Sequence, residues 1–401
     1  MAKRYQALIT PEVLLWARQR VTMPLEVAAR KLGVAPEQLD AWERGAARPT
    51  FSQAKAIAGL YRRPLAIFYL PEPPEPLDAL HDFRRMPNAD RTEPSPELLA
   101  EIERAEQLRS VALQLRAPEQ TEFALGNSIT IDDNPEMVAD HARARLAIDI
   151  EEQQGWKGDK SLALRRWKDA VERLGVLVLQ TPPTPSQSFA LEEARGFSIG
   201  ETMLPVIMIN AKDQPGGRIF TLMHEFTHLL LDVTGICDLH ETPHPQTEDQ
   251  RIEVFCNRVA GAVLVPASAL LAQPVVRQHP TAAAWTDEEI ARLASTFAVS
   301  EEALLRRLTL LGLASDAFYR QKREEYRKLY AEIARKGKDK EGFAPYEYMV
   351  LRRNGTAYTR MVLEAYYQER ITLSKVADYL DIHLKSLAKV ERAAFSGLAF
   401  D

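Results

Sequence analysis

Ile219-Phe220-Thr221-Leu222-Met223-His224-Glu225-Phe226-Thr227-His228-Leu229-Leu230 sets two histidines and a glutamate inside an otherwise apolar run of a 401-residue chain. A helix advances about 100° per residue, so His224 and His228 stand about 40° apart on one face, within reach of a single metal ion, with Glu225 beside them. Ile219, Leu222, Met223, Phe226, Leu229 and Leu230 fall on an arc of roughly 140–260° from His224, which predicts a helix with one buried face and one face for chemistry. A zinc site that performs chemistry takes three protein ligands and keeps a fourth position open for water. Downstream, Glu253-Val254-Phe255-Cys256-Asn257 offers a carboxylate on a second predicted helix. Glu253 completes a set of two His and one Glu, and Asn257, one turn later on the same face, is placed to hydrogen-bond to the first helix. Ala260, Gly261 and Ala262 permit close helix packing, and Pro266 ends the segment.

Working outward, Val176-Leu177-Val178-Leu179 reads as a short buried strand after a helix over 161–174 that Gly175 closes. Gly196-Phe197-Ser198-Ile199 and the apolar run 204–209 read as neighbouring strands of a small sheet. The second of these is either an edge that aligns an extended peptide or an internal strand. Helices are predicted over 95–115, with Ser95 as N-cap and Pro96 at the first helical position, and over 135–147. Beyond Ala267 the pattern is almost wholly helical. The predicted class is mainly α with a small β-sheet, that is α+β.

Composition narrows the function classes. With 46% hydrophobic and 27% charged residues, the chain reads as a soluble globular protein of two to three domains. Two cysteines cannot build a disulfide framework, which points to a reducing cytoplasm. No apolar run is long enough to cross a bilayer, and Met1-Ala2-Lys3-Arg4-Tyr5 has no apolar signal region, so no membrane partner is expected. The net charge of −5 is unevenly distributed. Residues 1–71 carry 11 Lys and Arg against 5 Asp and Glu, residues 320–401 carry 17 against 12, and the segment between holds −16. Basic ends around an acidic centre indicate either different partners for different segments or an uneven solvated surface.

The metal-site residues, taken with their flanks, resemble the ImmA/IrrE-type metallopeptidases. The likeness runs through Gly196-Phe197, Pro205-Val206-Ile207-Met208-Ile209-Asn210 and Gly217 to His228, then Glu253 to Ala260 and Leu264-Val265-Pro266. The resemblance implies a zincin-like core with Zn2+ held by His224, His228 and Glu253, and Glu225 as general base. It also implies a protein substrate, since members cut DNA-binding repressors during stress or mobile-element induction. Cys256 stands where the family usually has a small residue, so packing accounts for it. His240 and His244 read as solvated loop histidines, and Cys237 as a free buried thiol.

Near the N-terminus, Leu25, Ala28, Ala29, Leu32, Val34, Leu39 and Trp42, with Gly33 at a turn, follow the plan of two short helices joined tightly. Trp42-Glu43-Arg44-Gly45 and Arg48-Pro49 resemble the XRE family of phage-repressor-like helix-turn-helix domains. The sequence departs from that family at Pro24-Leu25 and in the Glu37, Asp40 and Glu43 of its second helix, which repel phosphate. DNA contact is therefore expected through Gln38, Arg44, Arg48 and the basic balance, the alternative being a helical protein-interaction module. A shift of 348 positions pairs Leu25, Ala29, Leu32, Val34, Leu39, Trp42 and Glu43 with Leu373, Ala377, Leu380, Ile382, Leu387, Val390 and Glu391. Residues 372–392 are thus either a second helix-turn-helix or a helical hairpin of similar period.

The expected organisation is an XRE-like helix-turn-helix over 1–70, a proline-rich linker and helical connector over 71–135, the metallopeptidase over 136–275, and a helical C-terminal region over 276–401. The expected function is that of a DNA-binding regulator with a zinc-dependent endopeptidase domain that cleaves a protein such as a transcriptional repressor. The rival is a regulator whose metallopeptidase-like domain senses a ligand or partner with little or no proteolysis. Helix-turn-helix proteins commonly pair to match two half-sites, so a homodimer is an expected arrangement, although no heptad run shows how it would form.

Overall fold

The computed structural model describes the chain except for residues 1–5, 22, 62, 64, 74–93, 117–128, 183–187, 201–202, 233–234, 237–246, 280–284, 338–344 and 396–401. Cys237, His240 and His244 lie outside the described residues. Contacts divide the described chain into two units, one reaching Glu103 and the other starting at Arg104.

The first unit contains α1 (Pro11–Arg20), α2 (Leu25–Leu32), α3 (Pro36–Glu43) and α4 (Phe51–Leu60), followed by a 3-10 turn at Leu65–Tyr69. Its core joins Val13, Leu14, Ala17, Ala28, Ala29, Leu39, Trp42, Ile57 and Phe68, all buried. Gly33, at φ 67°, closes α2 in the left-handed region that a Cβ disfavours, and the chain turns at once into α3. Thr50 caps α4 in a reciprocal box with Gln53. Next in sequence is the helix α5 (Pro96–Leu115); Ser95 Oγ accepts from the Leu98 N–H, as the N-cap reading predicts.

In the second unit, α6 (Pro135–Leu146), α7 (Ile150–Gly155) and α8 (Lys160–Arg173) precede β1 (Leu177–Gln180), β2 (Gly196–Ile199) and β3 (Val206–Ile209). Next come α9 (Pro215–Leu230), the two-residue β4 (Gly235–Ile236) and α10 (Glu248–Leu264). The sheet order is β1-β3-β2-β4, with β3 parallel to β1 and antiparallel to β2. All twelve residues of β1, β2 and β3 are buried, because α9 packs on β2 and β3 while other helices cover β1. Leu204, at φ 48°, ends the loop before β3, which starts only at Val206.

The remaining elements are all helical among the described residues. They are α11 (Ala267–Leu271), α12 (Pro274–Gln278), α13 (Asp287–Thr296), α14 (Glu301–Leu310), α15 (Asp316–Gly337), α16 (Tyr346–Asn354), α17 (Thr356–Tyr367), α18 (Leu373–Leu380), a 3-10 turn at Leu384–Ser386, and α19 (Leu387–Phe395). A half-buried carboxylate fastens α17 to the core. The Thr356 and Ala357 N–H groups donate to Glu172 at 3.1 and 3.3 Å, so Glu172 of α8 satisfies the open first turn of α17. Gly355 is required at this junction: its φ is 80°, and a Cβ there would stand 2.8 Å from the Val178 carbonyl oxygen. Among the described residues, no helix is long and apolar enough to cross a membrane.

Candidate metal centre

The site lies where α9 crosses α10. Pro215 starts α9 at a position where its missing N–H costs nothing, and from Ile219 to Leu230 every residue is buried. The face expected to carry chemistry is therefore covered as well as the apolar one. The apolar arc packs on the sheet and core, whereas the histidine face is covered by α10, which brings its own polar residues. His224 and Glu225 are 0% exposed and Glu253 is 6% exposed, so these groups leave water only because they have one another.

One donor atom from each of His224, His228 and Glu253 falls within 4.8 Å of the others. His224 Nε2 and His228 Nε2 are 3.0 Å apart, and the two Glu253 carboxylate oxygens lie 3.2 Å from one ring nitrogen each. Neither oxygen meets hydrogen-bond geometry with a protein group. Three buried donor atoms thus converge on a common point, and two imidazoles with one carboxylate are a donor set suited to a divalent ion such as zinc.

Asn257 lies one turn along α10 from Glu253, and its Oδ1 is 3.0 Å from His224 Nδ1. An amide oxygen only accepts, so Nδ1 carries the proton and the Nε2 lone pair is turned toward the cluster. Burial lowers the proton affinity of both rings; for His224 it prevails, whereas for His228 the neighbouring Cys256 and Glu253 outweigh it and raise the affinity well above the ordinary value. Burial opposes the charged form of Glu253, yet the two imidazoles outweigh it and hold its pKa down to about 2. Cys256 is buried next to His228, and burial pushes its thiol up.

Two features of the surroundings position the site. Gly196 of β2 lies over α9, where a Cβ would stand 2.6 Å from Thr221 Cγ2, 2.7 Å from the Met208 carbonyl oxygen and 3.6 Å from Glu225 Cγ. Only a glycine lets the strand approach this closely beside Glu225. At its far end, α10 leaves carbonyls without intrahelical donors, and buried side chains supply them. Arg143 donates to the Val263 carbonyl at 2.7 Å, Gln153 to Leu264 at 2.8 Å and Arg307 to Val265 at 2.9 Å. Two of these three donors are cations at the negative end of the helix dipole. No periodicity marks Arg143, Gln153 or Arg307 in the sequence, where they read as ordinary helical polar residues.

The strand 206–209 is internal, flanked by β1 and β2, so of the two readings of this run the edge for a peptide is excluded. In the first unit, Gln38, Arg44 and Arg48 are all exposed, and Arg44 is ion-paired with Asp40. Glu43 does not face solvent, as its place in the second helix had implied. It is buried and held by Arg18 through two hydrogen bonds of 2.6 and 2.8 Å, so it does not confront a phosphate.

Comparison with known proteins agrees with this architecture. Residues 171–309 match the family described as the IrrE N-terminal-like domain, and residues 14–68 match the helix-turn-helix family. The chain is 39% identical over 97 residues to a radiation response metalloprotease IrrE of Deinococcus deserti, which covers 24% of this chain and 34% of that protein. It is 35% identical over 106 residues to the protein of the same name from Deinococcus radiodurans, which covers 26% and 30% respectively. The chain thus spans about a third of the length of these curated relatives. No solved structure gives a significant match. One segment of the chain is thus similar to helix-turn-helix domains and another to the IrrE N-terminal-like domain.

Proposed function

We propose that this chain is a cytoplasmic DNA-binding regulator whose IrrE-like domain is a zinc-dependent endopeptidase that cuts a protein such as a transcriptional repressor. The observation that carries the reading is the convergence of His224, His228 and Glu253 within 4.8 Å, with Glu225 adjacent on the same buried helix. In this reading His224, His228 and Glu253 hold the ion, which supplies Lewis acidity at a carbonyl oxygen and makes water acidic near neutral pH. Glu225 takes the proton from the attacking water and passes it to the leaving amine. Asn257 orients His224, and Gly196 keeps β2 from displacing Glu225. The relatives named for a radiation response support a stress role. The helix-turn-helix supports a DNA contact through Gln38, Arg44 and Arg48, with the domain limits at residues 70, 135 and 275 as read from the sequence.

Comparing wild type with Glu225→Gln tests the reading. The variant is expected to retain its zinc and to lose cleavage of candidate repressors by about 10²-fold or more. Equal cleavage by the variant contradicts the mechanism. Bound zinc in the wild type with cleavage of no repressor favours a domain that senses a ligand or partner.

A further inference from the structure

The C-terminal echo of the helix-turn-helix extends beyond apolar spacing. With the same shift of 348, Asp381 takes the place of Gly33, and both adopt the left-handed conformation, at φ 52° and 67°. The following residues make the same bond, Ile382 N–H to the Ala377 carbonyl and Val34 N–H to the Ala29 carbonyl, each at 3.0 Å. The helix preceding each pair corresponds as well. Val362 and Ala365 of α17 are buried where Leu14 and Ala17 of α1 are buried, and α17 packs on α19 as α1 packs on α3. A helical hairpin of similar period has no reason to reproduce this third helix.

The outward faces differ in charge. On α19 and the turn that leads into it, Lys385, Ala388, Lys389 and Arg392 are exposed and share one side at i, i+3, i+4 and i+7, opposite the buried Val390 and Ala394. The corresponding positions on α3 are Glu37, Asp40, Ala41 and Arg44, with Arg44 ion-paired to Asp40. One face therefore carries three positive charges and the other a net negative charge. Among the described residues, none of Lys385, Lys389 and Arg392 forms an ion pair. The nearby acids are largely engaged elsewhere: Asp381 pairs with Arg353 at 2.9 Å, and Glu391 is half-buried and hydrogen-bonded with Tyr367, leaving Asp378 exposed on α18 one turn from an exposed Lys375. A third helix-turn-helix geometry, α13 and α14 around Ala298 at φ 51°, has its second helix largely buried in the core and presents no such face.

In helix-turn-helix proteins the second helix enters the major groove, and its flanking cations neutralise phosphates. We infer that the face formed by Lys385, Lys389 and Arg392 is a second duplex-DNA contact of this chain, one that engages the phosphate backbone independently of the N-terminal helix-turn-helix.

The test uses the full-length chain and a labelled random-sequence duplex, with binding followed by fluorescence anisotropy from about 50 to about 200 mM salt. Each lost phosphate contact reduces the slope of log affinity against log salt by about 0.9, so K385Q/K389Q/R392Q is expected to reduce it by about 2.7 and to shrink the fall in affinity across that range by about 40-fold. K389Q alone is expected to reduce the slope by about 0.9. The loss should be alike for unrelated sequences, with zinc content and melting temperature unchanged. Arg48→Gln, at the N-terminal domain, should remove a separate increment that adds to that of the triple variant, which keeps the two DNA contacts distinguishable. A triple-variant slope equal to that of the wild type overturns the inference, whether DNA binding then resides wholly in the N-terminal domain or is absent.

Discussion

Asn257 touches no substrate in the proposed mechanism, yet its amide oxygen fixes which nitrogen of His224 is available to an ion. Asn257→Ala removes the acceptor and leaves a buried Nδ1–H with no partner, because the His224 ring is 0% exposed and water cannot replace it. Leaving a buried donor unsatisfied costs about 1–3 kcal/mol. The ring, freed from its anchor, also spends time in orientations and tautomers that turn Nε2 away from Glu253 and His228. Loss of such an outer partner typically weakens metal binding by about 10–100-fold, equivalent to about 1.4–2.8 kcal/mol, which agrees with the desolvation figure reached independently. The assay is competition for zinc against a chromophoric chelator, together with the rise in melting temperature that saturating zinc produces. Asn257→Ala should bind zinc about 10–100-fold more weakly and show a smaller thermal gain, whereas Asn257→Asp, which retains an acceptor, should hold the ring and bind close to wild type. Zinc affinity of Asn257→Ala within about twofold of wild type would show that the Nδ1 hydrogen bond does not organise the site.

Three other outcomes follow from the packing. Gly196→Ala places a methyl group 2.6 Å from Thr221 Cγ2 and 2.7 Å from a backbone oxygen, so β2 and α9 must move apart; urea denaturation should register a loss of about 1–3 kcal/mol, and cleavage should fall because the new methyl group crowds Glu225 on α9. Arg143→Leu strips donors from the carbonyls of Ile148 and Val263 and from Gln153, with an expected loss of roughly 2–4 kcal/mol in the same assay; a stable variant would mean that α10 does not depend on these caps. Burial pushes Glu172 from its ordinary 4.5 up to about 7, with Lys168 and the two N–H groups of α17 opposing the shift. The folded chain therefore holds this proton more tightly than the unfolded chain, and stability falls as pH rises from about 4.5 to about 7. Melting curves across that range should be flatter for Glu172→Gln, and an unchanged slope would remove Glu172 as the source.

The legible part of the sequence is the part governed by period and punctuation. His224 and His228 four apart, Glu253 and Asn257 four apart, Pro96 after Ser95 and the apolar tetrapeptides 196–199 and 206–209 each translate into an element by local rules, and those elements are present in the fold. What was illegible depends on partners remote in sequence. Glu43 reads as an exposed acid until Arg18, 25 residues earlier, is seen to bury it. The helix 215–230 reads as amphipathic, but its polar side is covered by a helix that is itself polar there, so hydrophobicity alone could not reveal its burial. Arg143 and Arg307 end up against the last carbonyls of α10 through contacts spanning 120 and 42 residues, for which no motif exists. The two-residue β4 is too short to leave a pattern.

X-ray absorption at the zinc edge of the 401-residue chain reports the metal shell itself. One ion per chain is expected in a shell of nitrogen and oxygen at about 2.0–2.2 Å with imidazole scattering, lost in Glu253→Ala. A sulfur scatterer at about 2.3 Å, or an unchanged shell in Glu253→Ala, would contradict it.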